Sequence, residues 1–240
     1  MRIFGDRPTV RPTVNKMGWG SEFPHEINLA FAEFAAECKH PVLDIGAGFG
    51  AATLAALKKG ATVIANDLDV FHLESLAASV PQEARNRVEM LPGRFPRDLA
   101  FSSEYFGAIH SSNVLHFLSP PELESGIRLM FQWLVPNGKV FVMACSPYQQ
   151  SYKNFIPIFE QRKKTAVPWP GWIDDLTKYS SHPTLQYLPS SLNCFDADLI
   201  SKAFFSEGFT IEIAKEFTRT GIPENLKYDG RENVMLIARK

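Results

Sequence analysis

The chain has 240 residues, 45% of them apolar, and a formal net charge of -1, which suits one globular domain with a sizeable core. Charges of both signs are scattered along it, leaving no basic field to recruit nucleic acid or an anionic membrane surface, so both partners are disfavoured. Cys38, Cys145 and Cys194 are odd in number and lack metal-ligand spacing, so neither a disulfide framework nor a metal site is expected, and a reducing, cytoplasmic setting fits.

In chain order, the opening "MRIFGDRPTVRPTVNK" has no apolar signal core, and no run reaches the roughly 20 apolar residues of a membrane span. Residues 1–40 read as an arm followed by an amphipathic helix from about Glu22 to Cys38, which with Gly18-Trp19-Gly20 could fold over a ligand as a lid. Pro41 to Ile45 is a short apolar strand, Gly50 to Lys59 an Ala/Leu helix closed by Gly60, and Ala61 to Asn66 a second apolar strand. A helix around Val70 to Val80 follows, then strands at Arg87 to Leu91 and Tyr105 to His110. "SPPELESGIRLMFQWLVPNG" holds a complete helix, with Ser119 as N-cap, Pro120 in the first turn, Glu122 as capping-box partner and a stop at Pro136 and Asn137-Gly138. Strand "KVFVMAC" comes next, with Phe141 and Met143 as core. Strands alternating with helices at this spacing predict an α/β fold with a mostly parallel sheet and helices on both faces.

After Ser146 the pattern breaks. Residues 147–194 are rich in proline and aromatics, show no clear period apart from a solvated helix end at "QRKKT", and read as a cap inserted within a single domain spanning residues 1–240. Regularity returns with Asp196 capping "ADLISKAFFSEG", followed by the alternating strand "FTIEIAKEF" and a last strand, "NVMLIAR".

The chemistry concentrates in "PVLDIGAGFGAATLAALKKGATVIANDLDV". A glycine-rich turn between a strand and a helix lets a ligand touch backbone N–H groups that side chains would otherwise shield, and Gly46, Gly48 and Gly50 make that surface. Gly46, Gly48 and Ala51 also satisfy the dinucleotide spacing, and Asp67, ending the second strand, could accept both hydrogen bonds of a ribose diol from either an NAD or an adenosyl ligand. Asp44 separates the two. A carboxylate two residues before the first glycine repels a pyrophosphate and favours a ligand carrying an ammonium group.

"VLDIGAGFG" resembles the first motif of class I S-adenosylmethionine-dependent methyltransferases, D/E-x-G-x-G-x-G, which Asp44, Gly46, Gly48 and Gly50 fill. "NDLD", "FGAIHSSNVLHFL", "LVPNGKVFV" and the closing "GFTIEIAKEF…NVMLIARK" resemble later parts of that family, so the likeness spans about Val42 to Lys240 outside the excursion. The resemblance implies a doubly wound, Rossmann-like seven-stranded sheet with a C-terminal antiparallel hairpin and a cap insertion between its fifth and sixth strands. It implies S-adenosylmethionine as cofactor, with Asp44, Gly46, Ala47 and Gly48 near the methionine end, Asp67 at the ribose, Leu68 on the adenine, and Ser112 and Asn113 beside the methyl. One departure stands out. Arg94 occupies the place where many members carry an acid for the adenine amino group, and a guanidinium cannot accept a hydrogen bond, so that contact falls to the backbone of Phe95 or to Asp98.

The acceptor is expected to be a small molecule, apolar or aromatic, with an oxygen or nitrogen nucleophile. "SSNV" lacks the Asn-Pro-Pro-Tyr type of motif of enzymes acting on planar amino nitrogens of nucleic acids or glutamine. Candidate pocket residues are Trp19, Phe23, Tyr148, Tyr152, Trp169 and Trp172, with the aromatic residues of the excursion equally able to form its own small core. If the acceptor is a hydroxyl, His116, His25 or a tyrosine of the excursion could take its proton, with His116 the catalytic candidate, while His110, inside an apolar strand, reads as a satisfied core histidine. Two rival readings remain: an NAD-dependent oxidoreductase, although no tyrosine has a lysine four residues on, and a catalytically inactive donor-binding scaffold. The sequence lacks G-x-S-x-G and paired histidine ligands, which argues against a serine hydrolase and a zinc enzyme.

Overall fold

The computed structural model describes residues 10–13, 19–21, 24–180, 188–222 and 224–240. Strands β1 (Val10–Pro12) and β2 (Trp19–Ser21) pair with each other, apart from the main sheet. Helix α1 (Glu26–Ala36) starts four residues later than the amphipathic pattern predicts, with His25 as N-cap, and buries Ile27, Phe31, Ala32 and Ala35. The expected glycine-turn unit then follows as β3 (Val42–Ile45), α2 (Ala51–Lys58) and β4 (Val63–Asp67). Every residue of β3 and β4 is buried, as a strand covered on both faces requires. Helix α3 (Val70–Ser79) and β5 (Val88–Pro92) complete that half.

The second half begins with β6 (Phe106–Ser112) and α4 (Pro120–Trp133), whose Ser119 and Glu122 form the capping box expected from their spacing. The helix ends at Trp133 and β7 runs from Leu134 to Cys145, five residues ahead of the expected strand start at Lys139. Pro136 disfavours helical backbone at Val135, and the Tyr105 N–H bonds Trp133 O, so the chain is already extended there. The excursion is more ordered than its sequence suggests. It contains α5 (Ile156–Lys164) and an antiparallel pair, β8 (Trp172–Ile173) with β9 (Leu192–Asn193). Only Phe159 of α5 is fully buried, so its sequence carries little helical period. Helix α6 (Ala197–Ser206) is capped by Asp196, and β10 (Thr210–Phe217) and β11 (Asn233–Arg239) close the chain as an antiparallel hairpin.

The seven-stranded sheet has the order β10-β11-β7-β6-β3-β4-β5. The five strands from β7 to β5 are parallel and β11 runs antiparallel between β10 and β7. One core lies under α1 and α2, the other under α4, α6 and the excursion. Successive strands run outward from β3 to β5, then the chain returns to β6 beside β3. This reversal opens a crevice beyond the C-terminal ends of β3 and β6, the place where such sheets bind ligands. Among the described residues, no helix is long and apolar enough to cross a membrane and no cluster of His, Cys, Asp or Glu is placed to hold a metal.

Candidate active site

A single cavity of about 1100 Å³ occupies that crevice. Its floor is the turn after β3, where Gly46 (φ +68°) and Gly48 (φ +54°) take backbone shapes that L side chains resist. The two glycines serve different ends. A Cβ on Gly46 would lie 2.2 Å from Val114 Cγ2, so its absence lets the loop after β6 close down. A Cβ on Gly48 would meet nothing nearer than Gly46 O at 4.0 Å, so its missing side chain leaves an open cradle on the cavity.

Two buried acids hold this floor. Asp67, at the end of β4, accepts the Gly48 N–H at 2.8 Å and the Asp69 N–H at 2.9 Å, with His72 Nδ1 at 3.3 Å. A carboxylate offers about four lone-pair positions, so Asp67 keeps capacity for a ligand hydroxyl. Asp44, 1% exposed, accepts from the Thr53 hydroxyl at 2.6 Å and from His110 Nδ1 at 2.7 Å. That bond leaves His110 Nε2 to accept from Asn28 Nδ2 at 3.1 Å. A four-member chain of side chains therefore links α2, β3, β6 and α1.

On the β5 side, Asn66 Nδ2 donates to Leu91 O at 3.0 Å and Gly93 O at 2.9 Å, fixing the loop that presents Arg94 and Phe95. Tyr152, Leu188 and Leu192 of the excursion line the cavity together with Arg219 and Ile222 from the segment after β10. Burial pushes the Tyr152 phenol well above its ordinary range, so it stays protonated. Burial, with Arg219 adding to it, pushes His25 down to about 4, so that ring is neutral.

Residues 42–138 match the family model of a methyltransferase domain. No curated protein sequence matches the chain. The family match takes in the glycine turn, Asp67 and the strands of the crevice. Among solved structures it is similar to an S-adenosylmethionine-dependent methyltransferase of Mesorhizobium loti, with TM-score 0.61, 21% identity, and coverage of 88% of this chain and 96% of that one. The CcbJ methyltransferase of Streptomyces caelestis gives TM-score 0.60 at 16% identity over 91% and 99% of the two chains. The glycopeptide N-methyltransferase MtfA complexed with sinefungin gives TM-score 0.57 at 17% identity over 88% and 92%.

S-adenosylmethionine, on which the Mesorhizobium loti protein depends, is the methyl donor to set against this site. The floor fits it, since the open face at Gly48 admits close backbone approach and Asp67 has acceptor capacity to spare. The structure brings Asp44, Gly46, Ala47, Gly48, Asp67, Leu68, Arg94, Phe95, Ser112, Asn113 and His116 to one cavity. Gly50 is not on it: as N-cap of α2 it lies against Leu76, whose Cδ1 would be 2.1 Å from a Cβ there. Leu68 is 59% exposed and lines the cavity. Arg94 points its guanidinium at Glu122 from 3.6 Å, while its backbone N–H donates to Asp98 Oδ2 at 2.9 Å. Phe95 is buried against Trp133 and works as core at the cavity wall.

His116 differs from expectation in its chemistry. Its Nδ1 accepts the Cys145 N–H at 3.3 Å, which places the proton of the neutral ring on Nε2 and makes that nitrogen a donor rather than a base. Of the expected acceptor aromatics, Tyr152 lines the cavity and Tyr148, Trp169 and Trp172 do not. Tyr148 is buried with its hydroxyl on Glu160 and the Arg231 guanidinium 3.5 Å above its ring; Trp169 Nε1 donates to Glu124 at 2.8 Å; Trp172 pairs in β8. Trp169 and Tyr148 thus tie the excursion to α4 and to the segment before β11. Trp19 lies in β2 and Phe23 falls outside the described residues. Sequence reasoning missed Arg219, Gln149 and Asn28, which have no motif and reach the cavity only through the fold.

Proposed function

We propose that this protein is a methyltransferase that acts on a small-molecule acceptor, through an oxygen or nitrogen nucleophile on an apolar or aromatic body, by in-line displacement. The observation that carries the reading is the extent of the cavity. At about 1100 Å³ it reaches the top of the range for one drug-sized ligand, roughly 300–1,000 Å³, and its lining includes the excursion and the segment after β10 as well as the glycine floor. Tyr152, Leu188, Leu192 and Ile222 give the cavity an apolar wall suited to a compact acceptor. The fold neighbour MtfA, a glycopeptide N-methyltransferase, also acts on something other than a nucleic acid.

Bound on the glycine floor, S-adenosylmethionine would supply a methyl group on a positively charged sulfur. The chain's own contribution is placement and exclusion of water. Asp67 and Gly48 hold the donor side, Ser112 and Asn113 line the same cavity from the end of β6, and the excursion supplies the acceptor side. Tyr152 is protonated and His116 has its free nitrogen protonated, so both serve as hydrogen-bond donors to the acceptor. A neutral amine or an already ionised oxygen would need no base from the protein. The three free cysteines suit a reducing compartment.

The test supplies the full chain with S-adenosylmethionine carrying a radiolabelled methyl, together with a cell extract split into a low-mass filtrate and a macromolecular retentate. Label entering the filtrate supports the reading. Label found only in retained protein or RNA overturns it.

A further inference from the structure

A buried guanidinium stands on the acceptor side of the cavity without a counter-charge. Arg219 follows β10 by two residues, is 8% exposed, lines the cavity, and its Nε has no hydrogen-bond partner. Among the described residues it forms no ion pair. The carboxylate in the adjoining turn is committed elsewhere, because Glu232 accepts from the Thr218 hydroxyl and from the backbone N–H groups of Tyr228, Asp229 and Gly230. A charge taken out of water in this way is costly unless something pairs with it.

Arg219 is not alone. Three other residues lining the cavity present buried polar atoms with no partner: His25 Nε2 at the start of α1, Ser151 Oγ in the turn after β7, and Asn233 Oδ1 at the first residue of β11. Buried polar groups are satisfied in the great majority of cases, and four orphans from four separate elements meeting in one volume mark the place where a ligand completes them.

The geometry points to a carboxylate-bearing acceptor, with Arg219 as the clamp for its carboxylate, Ser151 donating a second hydrogen bond, and Asn233 Oδ1 taking a hydroxyl or amino hydrogen of the same molecule. This deepens the small-molecule reading above and rests on it. A single guanidinium matches a monoanion through its planar fork, and among the described cavity residues the other permanent cation, Arg94, lies at the β5 end. A phosphate dianion would lack its second cation.

The donor's own carboxylate is a rival source of the same chemistry. Arg219 lies within electrostatic reach of Cys145, which pairs with Asn233 across β7 and β11. β7 is two strands from β3 and its glycine turn. At roughly 4.8 Å per strand, β7 stands about 10 Å to the side of the glycine turn, which favours the acceptor over the donor as the clamp's ligand.

Calorimetric titration of the full chain with benzoate and phenylacetate against their uncharged amides, with and without S-adenosylhomocysteine, tests the assignment. Wild type is expected to bind the carboxylates at least about tenfold more tightly than the amides, and Arg219→Met to abolish that preference while holding S-adenosylhomocysteine within about twofold. The same substitution removes an unpaired buried charge, so it is expected to keep or raise the melting temperature of the ligand-free protein. Equal binding of acids and amides by wild type, or no binding of either, overturns the proposal. So does a lowered melting temperature in Arg219→Met, which would make the arginine a structural group, or a loss of S-adenosylhomocysteine binding, which would give it to the donor. Failure of wild type itself to bind S-adenosylhomocysteine would instead strike the donor assignment, and the carboxylate preference measured without it would still decide the role of Arg219.

Discussion

Gly48→Ala separates the donor cradle from the scaffold around it. The added methyl has room, with Gly46 O at 4.0 Å as its nearest neighbour, so the cost to folding is the backbone at φ +54°. Left-handed backbone costs a non-glycine residue roughly 1–2 kcal/mol, and a chain of this size loses about 2–4 °C per kcal/mol, so a drop of roughly 2–8 °C is expected in a thermal melt. Gly46→Ala carries the same backbone penalty and also drives its Cβ to 2.2 Å from Val114 Cγ2. Overpacking adds about 1–3 kcal/mol, so this variant should be the less stable of the two. Binding should rank the opposite way relative to stability. The Gly48 methyl stands on the face where the donor must touch backbone, and S-adenosylhomocysteine should bind at least about tenfold more weakly in calorimetry, a loss of about 1.4 kcal/mol. Wild-type affinity in Gly48→Ala would refute the placement of the donor on this floor, and equal destabilisation by the two substitutions would refute the packing argument.

Asp44→Ala should cost about 3–5 kcal/mol in urea denaturation, because it strips both Thr53 and His110 of a buried partner; a loss below about 1 kcal/mol would mean that the chain of side chains carries little energy. Burial by itself pushes Glu232 up, yet the Thr218 hydroxyl and backbone N–H groups hold it down at about 2, below its ordinary 4.5. A depressed carboxylate stabilises the fold above its unfolded value, so on the order of 3 kcal/mol should be present above about pH 4.5 and drain away as pH falls towards 2. Urea melts of Glu232→Gln should lack that acid limb, and an unchanged limb would assign it to another group. His116→Asn keeps an oxygen able to accept the Cys145 N–H, so the pH profile of kcat/KM should retain its shape; loss of the acid limb would restore His116 as a base.

Where local rules govern, the sequence was readable. The Ser119 and Glu122 capping box, the Asp196 cap, the buried runs of β3 and β4 and the glycine turn all depend on neighbours a few residues away, and each stands where its spacing puts it. The excursion was opaque because its order comes from distance in the chain. β8 finds its partner 20 residues on, and Tyr148 is claimed by Arg231 from the far end of the sequence. Arg219 shows the limit most clearly. "FTRTG" carries no motif, and the arginine is buried on the cavity only through the fold. His116 lines the cavity, but its chemistry depends on a backbone N–H 29 residues later, which no motif reveals.

The side-chain chain from Thr53 through Asp44 and His110 to Asn28 runs across the strands rather than along them. Apolar packing is non-directional, so a helix resting on Ile27, Phe31 and Ala35 alone could slide along its axis or turn on it at small cost. Asn28 works as a dowel pin. One directional bond through the sheet sets the height and rotation of α1 against the glycine turn, although no backbone ladder joins them. The His25 backbone N–H donates to Asn28 Oδ1 at 2.7 Å, so the part of the cavity wall that His25 supplies is gauged from the same buried acid that braces the glycine turn.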